Sequence, residues 1–233
     1  MKLAIIPARG GSKRIPRKNL RDFCGHPIIA YSIRTAQVSG FFDQVIVSTD
    51  DEEIAAVARS HGALTPFVRP MELADDHAST LAVMQHAVMM CRNLGLRPEL
   101  ACCLYATAPF VEVADLQRGL DALADPQLQY AFSVTSFPFP VQRAIRLDAA
   151  HHVQPVWPEN IPKRSQDLEP LFHDAGQFYW GRADAFATQI SIFTPQAAAI
   201  VLPRHRVQDI DSEEDWIRAE WMFRAWKAIR PES

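Results

Sequence analysis

Residues 1 to 21 hold seven of the 24 basic residues, Lys2, Arg9, Lys13, Arg14, Arg17, Lys18 and Arg21, and no acid. Near the other end, five of 27 acids fall within seven positions: Asp209, Asp211, Glu213, Glu214 and Asp215. The basic run surrounds Pro7-Ala8-Arg9-Gly10-Gly11-Ser12-Lys13-Arg14-Ile15-Pro16-Arg17-Lys18-Asn19-Leu20. A short apolar strand ends there, and two glycines let the backbone turn tightly. Exposed N–H groups in such a turn form an anion nest. Arg9, Lys13 and Lys18 are then placed to neutralise phosphates, Arg9 in a two-pronged fashion. The string is neither a Walker A loop nor a GxGxxG fingerprint. On spacing alone it also reads as a solvated basic turn, and the acids as a helix start. If the two clusters meet in the fold, they suit an anionic substrate carried with a divalent cation.

The elements that must position these residues alternate. Residues 2 to 7 predict a buried strand and residues 27 to 38 a helix, with Pro27 at its start. Val45 to Thr49 is a second strand, and Asp50-Asp51-Glu52-Glu53 opens a helix reaching Ser60, its acids suited to the positive helix end. Thr80 to Asn93 reads as a helix, Leu100 to Tyr105 as a strand, Glu112 to Ala124 as a helix and Ala131 to Thr135 as a strand. Such alternation predicts an α/β domain with a mainly parallel sheet covered on both faces. The rhythm breaks over residues 137 to 170, which hold six of the 17 prolines. Val141 to Leu147 and His152 to Val156 are expected to pair as a hairpin in an inserted lobe, a lid or a dimerisation arm. Gln177 to Trp180 and Ala197 to Leu202 then read as strands, Ala183 to Ala187 as a helix. A last helix runs from Ser212, a good N-cap, to Arg230, and Trp216, Trp221 and Trp226 are expected to pack it onto the body.

Composition narrows the class. The 233 residues are 48% hydrophobic and 22% charged with net charge −3, ordinary for a globular protein. No apolar run approaches the ~18 residues of a membrane span, and the first residues are too short an apolar run for a signal peptide. A cytoplasmic protein is expected. Cys24, Cys91, Cys102 and Cys103 form no CxxC pair, and they read as free thiols. The net charge and the lack of interleaved aromatics exclude a nucleic-acid partner.

The fourteen-residue string resembles the N-terminal signature of the sugar cytidylyltransferases that make CMP-activated acidic sugars. The resemblance continues through Val47-Ser48-Thr49-Asp50, Arg69-Pro70, Leu73-Ala74-Asp75-Asp76, Thr107-Ala108-Pro109, Arg164-Ser165-Gln166-Asp167 and Asp209-Ile210-Asp211. It implies a single domain, residues 1–233, with a Rossmann-like three-layer αβα nucleotidyltransferase core and residues 137–170 as an inserted dimerisation arm. It implies transfer of CMP from CTP to the anomeric hydroxyl of a nine-carbon acidic sugar, with pyrophosphate leaving, and a homodimer. By the same resemblance Ala8, Arg9, Gly10, Ser12, Lys13, Lys18, Asn19, Arg69, Asp76 and Thr80 bind the nucleotide, Asn19 and Ala8 at the cytosine. Asp209 and Asp211 would hold Mg2+, and Arg164 and Lys18 join them as catalytic residues. Physical chemistry agrees. CTP is a polyanion that needs a cationic loop, and two carboxylates two apart in extended chain point to one side.

The sugar is read from departures. Where sialate-using members carry Gln, this chain has Tyr105, within Tyr105-Ala106-Thr107-Ala108-Pro109-Phe110. Further on stands Asp174-Ala175-Gly176-Gln177-Phe178-Tyr179-Trp180-Gly181. Both strings look like the pseudaminate-using branch, so pseudaminic acid is the expected sugar, with Tyr105, Arg164 and Gln177 meeting it. N-acetylneuraminate or legionaminate is the alternative sugar, and a non-catalytic nucleotide-binding homologue the alternative class.

Overall fold

The computed structural model describes residues 1–75 and 78–229. Six strands form one sheet in the order β10-β6-β9-β5-β1-β4. The first strand, β1 (Lys2–Pro7), is apolar throughout its middle and lies inside the sheet, next to its edge strand, parallel to both β4 (Gln44–Ser48) and β5 (Leu100–Leu104). A minimal hairpin of β2 (Asp22–Phe23) and β3 (His26–Pro27) leads into α1 (Ile28–Ser39). After β4 comes α2 (Glu52–Ser60), N-capped by Asp51, whose side chain accepts from Ile54 N. Helix α3 (Thr80–Asn93), capped by Ser79, precedes β5, and α4 (Val113–Ala122) leads to β6 (Tyr130–Ser136). At the far edge, β10 (Ala197–Val201) runs parallel to β6.

Only β9 (Phe172–Arg182) reverses, lying antiparallel between β5 and β6. It is far longer than the strand expected at Gln177 to Trp180, because it begins at the foot of the inserted arm. Its pairing slips midway: two steps along β6, Phe132 to Val134, match five along β9, Tyr179 to Asp174. Gly176 takes the left-handed turn (φ 59°) that this slack requires. Ser133 Oγ accepts from the N–H groups of Gln177 and Phe178 at 3.2 and 3.1 Å.

Two apolar layers flank the sheet. One joins Ile29 and Ile33 of α1, Ile54 of α2 and Leu116 of α4 to Ile6, Val47 and Trp180. The other joins Met84, Val88 and Cys91 of α3 and Phe186 of α5 (Ala183–Ala187) to Ile5, Cys103 and Tyr179. The expected αβα layering is present. The last helix, α6 (Glu213–Ala228), packs through a third cluster with Phe23, Ile28 and Phe110. Trp216 and Trp226 are buried there, but Trp221 is 66% exposed. At about 100° per residue, position 221 falls on the opposite side from 216, 219, 223 and 226. The thiols of Cys91, Cys102 and Cys103 are free and buried.

Within residues 137–170 the expected hairpin forms, β7 (Ile145–Leu147) pairing antiparallel with β8 (Val153–Pro155). Val141–Arg143 is a 3-10 turn rather than strand, since Pro140 precedes it and Ala144 N closes the turn onto Val141 O. No helix among the described residues is long and apolar enough to cross a membrane.

Candidate functional site

The chain leaves β1 toward β4 on one side and leaves β5 toward β6 on the other. Adjacent strands whose connections diverge open a crevice at their carboxyl ends. A cleft of about 560 Å³ sits there, lined by Pro7 to Asn19 residues of the first loop, by Arg69 and Thr80, and by Tyr105 to Thr107 after β5.

The loop after β1 is held from below. Ala8 N donates to Ser48 O at 3.0 Å, and Gly10 N to Asp50 Oδ1 at 3.1 Å. Arg17 grips Asp51 with both guanidinium nitrogens, at 2.5 and 3.0 Å, and also pairs with Glu53. Arg17 itself is left-handed (φ 56°), whereas neither Gly10 nor Gly11 is. The glycine at 10 is therefore required for another reason than turning: a Cβ there would lie 2.5 Å from Asp51 Oδ2. Arg9, Ser12, Lys13, Arg14, Lys18 and Asn19 all reach the cleft wall. Ala8 is buried beneath it. Asn19, 7% exposed, donates Nδ2 to Arg9 O at 2.9 Å, which orients its amide.

Arg69 enters from the far side, 4% exposed and bonded to the Ser48 hydroxyl and carbonyl. Burial pulls its guanidinium down to about 10, against the attraction of Asp50. Such a desolvated cation interacts strongly with an anion brought into the cleft. Asp76 lies outside the described residues.

The acid cluster meets the basic loop. Lys18 Nζ donates to Ile210 O at 2.5 Å and lies 3.5 Å from Asp211, and Arg14 pairs with Asp211 at 3.0 Å. Arg21 grips Glu213 at 2.6 Å and covers the Trp216 ring. Asp211 lines the cleft; Asp209, two residues before it, is not part of the lining. Crowding by protein, then Asp211, pushes the Asp209 carboxyl up, with Lys18 and Arg14 opposing. A carboxylate pair in mutual repulsion suits a hard divalent cation, and two carboxylates leave positions for substrate oxygens and water. Asp209 and Asp211 thus fit magnesium. What holds them was not visible in the sequence: Arg206, buried just upstream, bonds Phe110 O at 3.2 Å and both oxygens of Asp115 at 2.5 and 3.1 Å. The one available signal was Glu112 with Asp115, a capping pair at the start of α4.

The sugar-side residues divide. Tyr105 lines the cleft with Thr80. Gln177 is 1% exposed and not in the cleft wall, because the slack in β9 turns it under Ser133. Arg164 is 73% exposed on the arm and bonds Asp167 at 2.7 and 3.1 Å, away from the cleft of its own chain. Trp180 is a core residue, stacked on Phe42 and donating to Leu116 O.

A nucleotide-sized cleft at a sheet switch point, with a cationic loop facing paired carboxylates, defines a nucleotidyl-transferring class. A family model described as "Cytidylyltransferase" matches residues 3–211, and the chain belongs to that family. It is 44% identical over 222 residues to the Campylobacter jejuni protein named pseudaminic acid cytidylyltransferase, covering 95% of this chain and 96% of the relative. It is 27% identical to the CMP-N,N'-diacetyllegionaminic acid synthase of Legionella pneumophila, covering 94% of each. In fold it matches the structure of CMP:2-keto-3-deoxy-manno-octonic acid synthetase complexed with CTP. That match has a TM-score of 0.70 and 18% identity over 97% of this chain and 99% of the other.

Proposed function

We propose that this protein transfers CMP from CTP to the anomeric hydroxyl of pseudaminic acid, releasing pyrophosphate. The observation that carries the reading is the meeting of the β1 loop with Asp209 and Asp211 across one cleft, in a chain 44% identical to a pseudaminic acid cytidylyltransferase. The sugar oxygen attacks the α-phosphorus, the bond to the bridging oxygen of pyrophosphate breaks, and the hydroxyl proton is lost. Arg9, Ser12, Lys13 and Lys18 bind and orient the triphosphate, and Gly10 lets the loop lie close against the Asp50-Asp51 turn. Holding the α-phosphorus in line with the hydroxyl supplies much of the acceleration in such transfers. Asn19 and Arg69 bind the nucleoside end. Asp209 and Asp211 would hold magnesium, which supplies charge neutralisation on the phosphates when bound.

Tyr105 offers a large apolar face toward the sugar, which suits a 9-deoxy, doubly acylated substrate better than a hydroxylated one. The arm is a dimerisation device. Phe139, Ile145, Leu147 and Val153 are all more than half exposed on it, and contact with a second copy covers them. Arg164 then serves the partner's cleft, gripping the sugar carboxylate with a planar fork. Free thiols and a CTP substrate suit a cytoplasmic site of action. The purified chain, given CTP, magnesium and a panel of sugars, should release pyrophosphate fastest with pseudaminic acid and yield CMP-pseudaminate by mass spectrometry. Equal or faster use of N-acetylneuraminate or legionaminate overturns the sugar, and no release with any sugar overturns the reaction.

A further inference from the structure

The slack in β9 is closed by its own side chains. Pairing with β6 leaves off at Asp174 and resumes at Tyr179. These two residues bond to each other, the Tyr179 hydroxyl donating to Asp174 Oδ2. The other oxygen, Oδ1, accepts from Gly176 N at 2.8 Å and fixes the left-handed turn within the slack. One carboxylate thus spans the loop at its mouth and ties its middle. Tyr179 is 4% exposed, and burial pushes its phenol up, so the hydroxyl keeps its proton for Asp174 at neutral pH.

The closed loop backs Tyr105, the residue that follows β5. Gln177 O accepts from Tyr105 N at 3.0 Å. A Cβ on Gly176 would lie 3.7 Å from Tyr105 Cε2, so the backbone of the loop runs along one edge of the ring. The Tyr179 ring is tilted beside it, the centroids 5.6 Å apart. At its far end the Tyr105 hydroxyl lies 2.9 Å from Thr80 Oγ1, on the first residue of α3. Within the loop, Ser133 Oγ holds Gln177 and Phe178, and the Asp174 carboxylate holds Gly176. Tyr105 and Thr80 line the cleft; Asp174, Gly176 and Tyr179 do not.

We propose that Asp174 and Tyr179 are positioning residues for Tyr105: their bond keeps the loop shut against the ring and so fixes the wall that Tyr105 presents to the sugar. The inference rests on the reading of Tyr105 as a sugar-facing residue. With the bond cut, the loop is free to open, the ring loses its backing, and Tyr105 spreads over more than one rotamer. The sugar then binds only the fraction of molecules whose ring fits, and its apparent affinity falls by that fraction. CTP rests on the first loop, Asn19 and Arg69, so its affinity changes little. The signature is a loss confined to the sugar.

Tyr179→Phe keeps the ring and removes the hydroxyl. Asp174→Ala removes the carboxylate and stands in if Tyr179→Phe folds poorly. Each is measured for KM toward the sugar that releases pyrophosphate fastest, for kcat, and for the CTP dissociation constant by calorimetry without sugar. The sugar KM should rise about fivefold, as when the fitting rotamer falls to about a fifth of the population, with kcat and the CTP constant within about twofold of wild type. Loss of folded protein alone would lower kcat and leave KM in place. Tyr105→Ala is the reference. In that background Tyr179→Phe should raise KM no further, because a residue that acts through Tyr105 has nothing left to position. An unchanged sugar KM in the folded single variants, or a rise that recurs in full on Tyr105→Ala, overturns the proposal. Wild-type sugar KM in Tyr105→Ala itself overturns the sugar-facing reading, and the proposal with it.

Discussion

The Lys18 ammonium lies 3.5 Å from the Asp211 carboxylate and 2.5 Å from the carbonyl of Ile210. One side chain from the first loop thereby closes the cleft against the stretch that precedes α6. A triphosphate between them would face cations on one side and carboxylates on the other. The acids can approach it only with a divalent cation interposed, and this geometry gives the first expectation.

Asp209→Asn and Asp211→Asn should each lower kcat about 100-fold or more, the loss expected when a metal carboxylate is removed. Circular dichroism and melting temperature should stay close to wild type, since neither acid belongs to a core cluster. Chelating magnesium should abolish pyrophosphate release in the native protein. Wild-type turnover in either variant at saturating magnesium would remove the assignment.

Asn19→Ala should raise KM for CTP about tenfold and weaken preference over UTP, for Asn19 Nδ2 is oriented by Arg9 O and leaves Oδ1 to accept. Steady-state kinetics with both nucleotides checks this. An unchanged preference would leave Asn19 as a turn residue alone.

Asp51 gives a pH dependence. The Arg17 guanidinium beside it holds its carboxyl below the usual range. A depressed carboxyl stabilises the fold above its unfolded pKa of about 4, and the gain disappears as pH falls through the folded value. Asp51→Asn retains a capping side chain for α2 but loses the ion pair, which is partly exposed and contributes less than about 1 kcal/mol. The melting temperature should drop slightly and evenly from pH 5 to 8. The gap from wild type should close below pH 4. A gap that widens on acidification would contradict the sign.

Leu147→Asp combined with Val153→Asp should give a monomer by light scattering. Each position is more than half exposed on the arm, at 57% and 60%, so the isolated fold should tolerate the charges. Arg164→Lys should impair sugar use more than CTP binding, because an ammonium does not reproduce the guanidinium fork. A fully active monomer would refute the arm, and normal sugar kinetics would refute the role of Arg164.

Arg206→Ala should cost about 3–5 kcal/mol by chemical denaturation, the range for breaking a buried ion pair from one side. Arg206 is 7% exposed and bonded to both oxygens of Asp115. A loss under 1 kcal/mol would mean that water satisfies Asp115 instead.

Local signals made much of this molecule legible. The run Lys2–Pro7 has no polar residue after its first, so its place between two other strands follows from burial alone. Ser212 and Asp215 form the reciprocal cap at α6 that their spacing suggests. The reversal of β9 was not legible, since strand direction depends on what the partner strands offer, and residues 172–182 carry no mark of it. Gln177 reads as a ligand contact but is buried, because the slipped register with β6 is a property of two strands together. Trp221 shows the limit of composition: three tryptophans share one helix, and only angle separates the buried pair from the exposed one. Arg206 lies among surface-like cations, and its burial emerges only when α4 arrives beside it.

The close approach at Gly10 has a consequence for anyone who would build with this protein. The shape of the first loop is moulded on Asp50 and Asp51, which form the turn between β4 and α2, and a methyl group at position 10 would strike the mould. Residues 7 to 20 transplanted alone into another α/β sheet would therefore collapse into an ordinary turn. The smallest portable unit is a pair of segments, the loop with residues 48 to 53. Libraries that vary one while freezing the other will sample mostly broken sites.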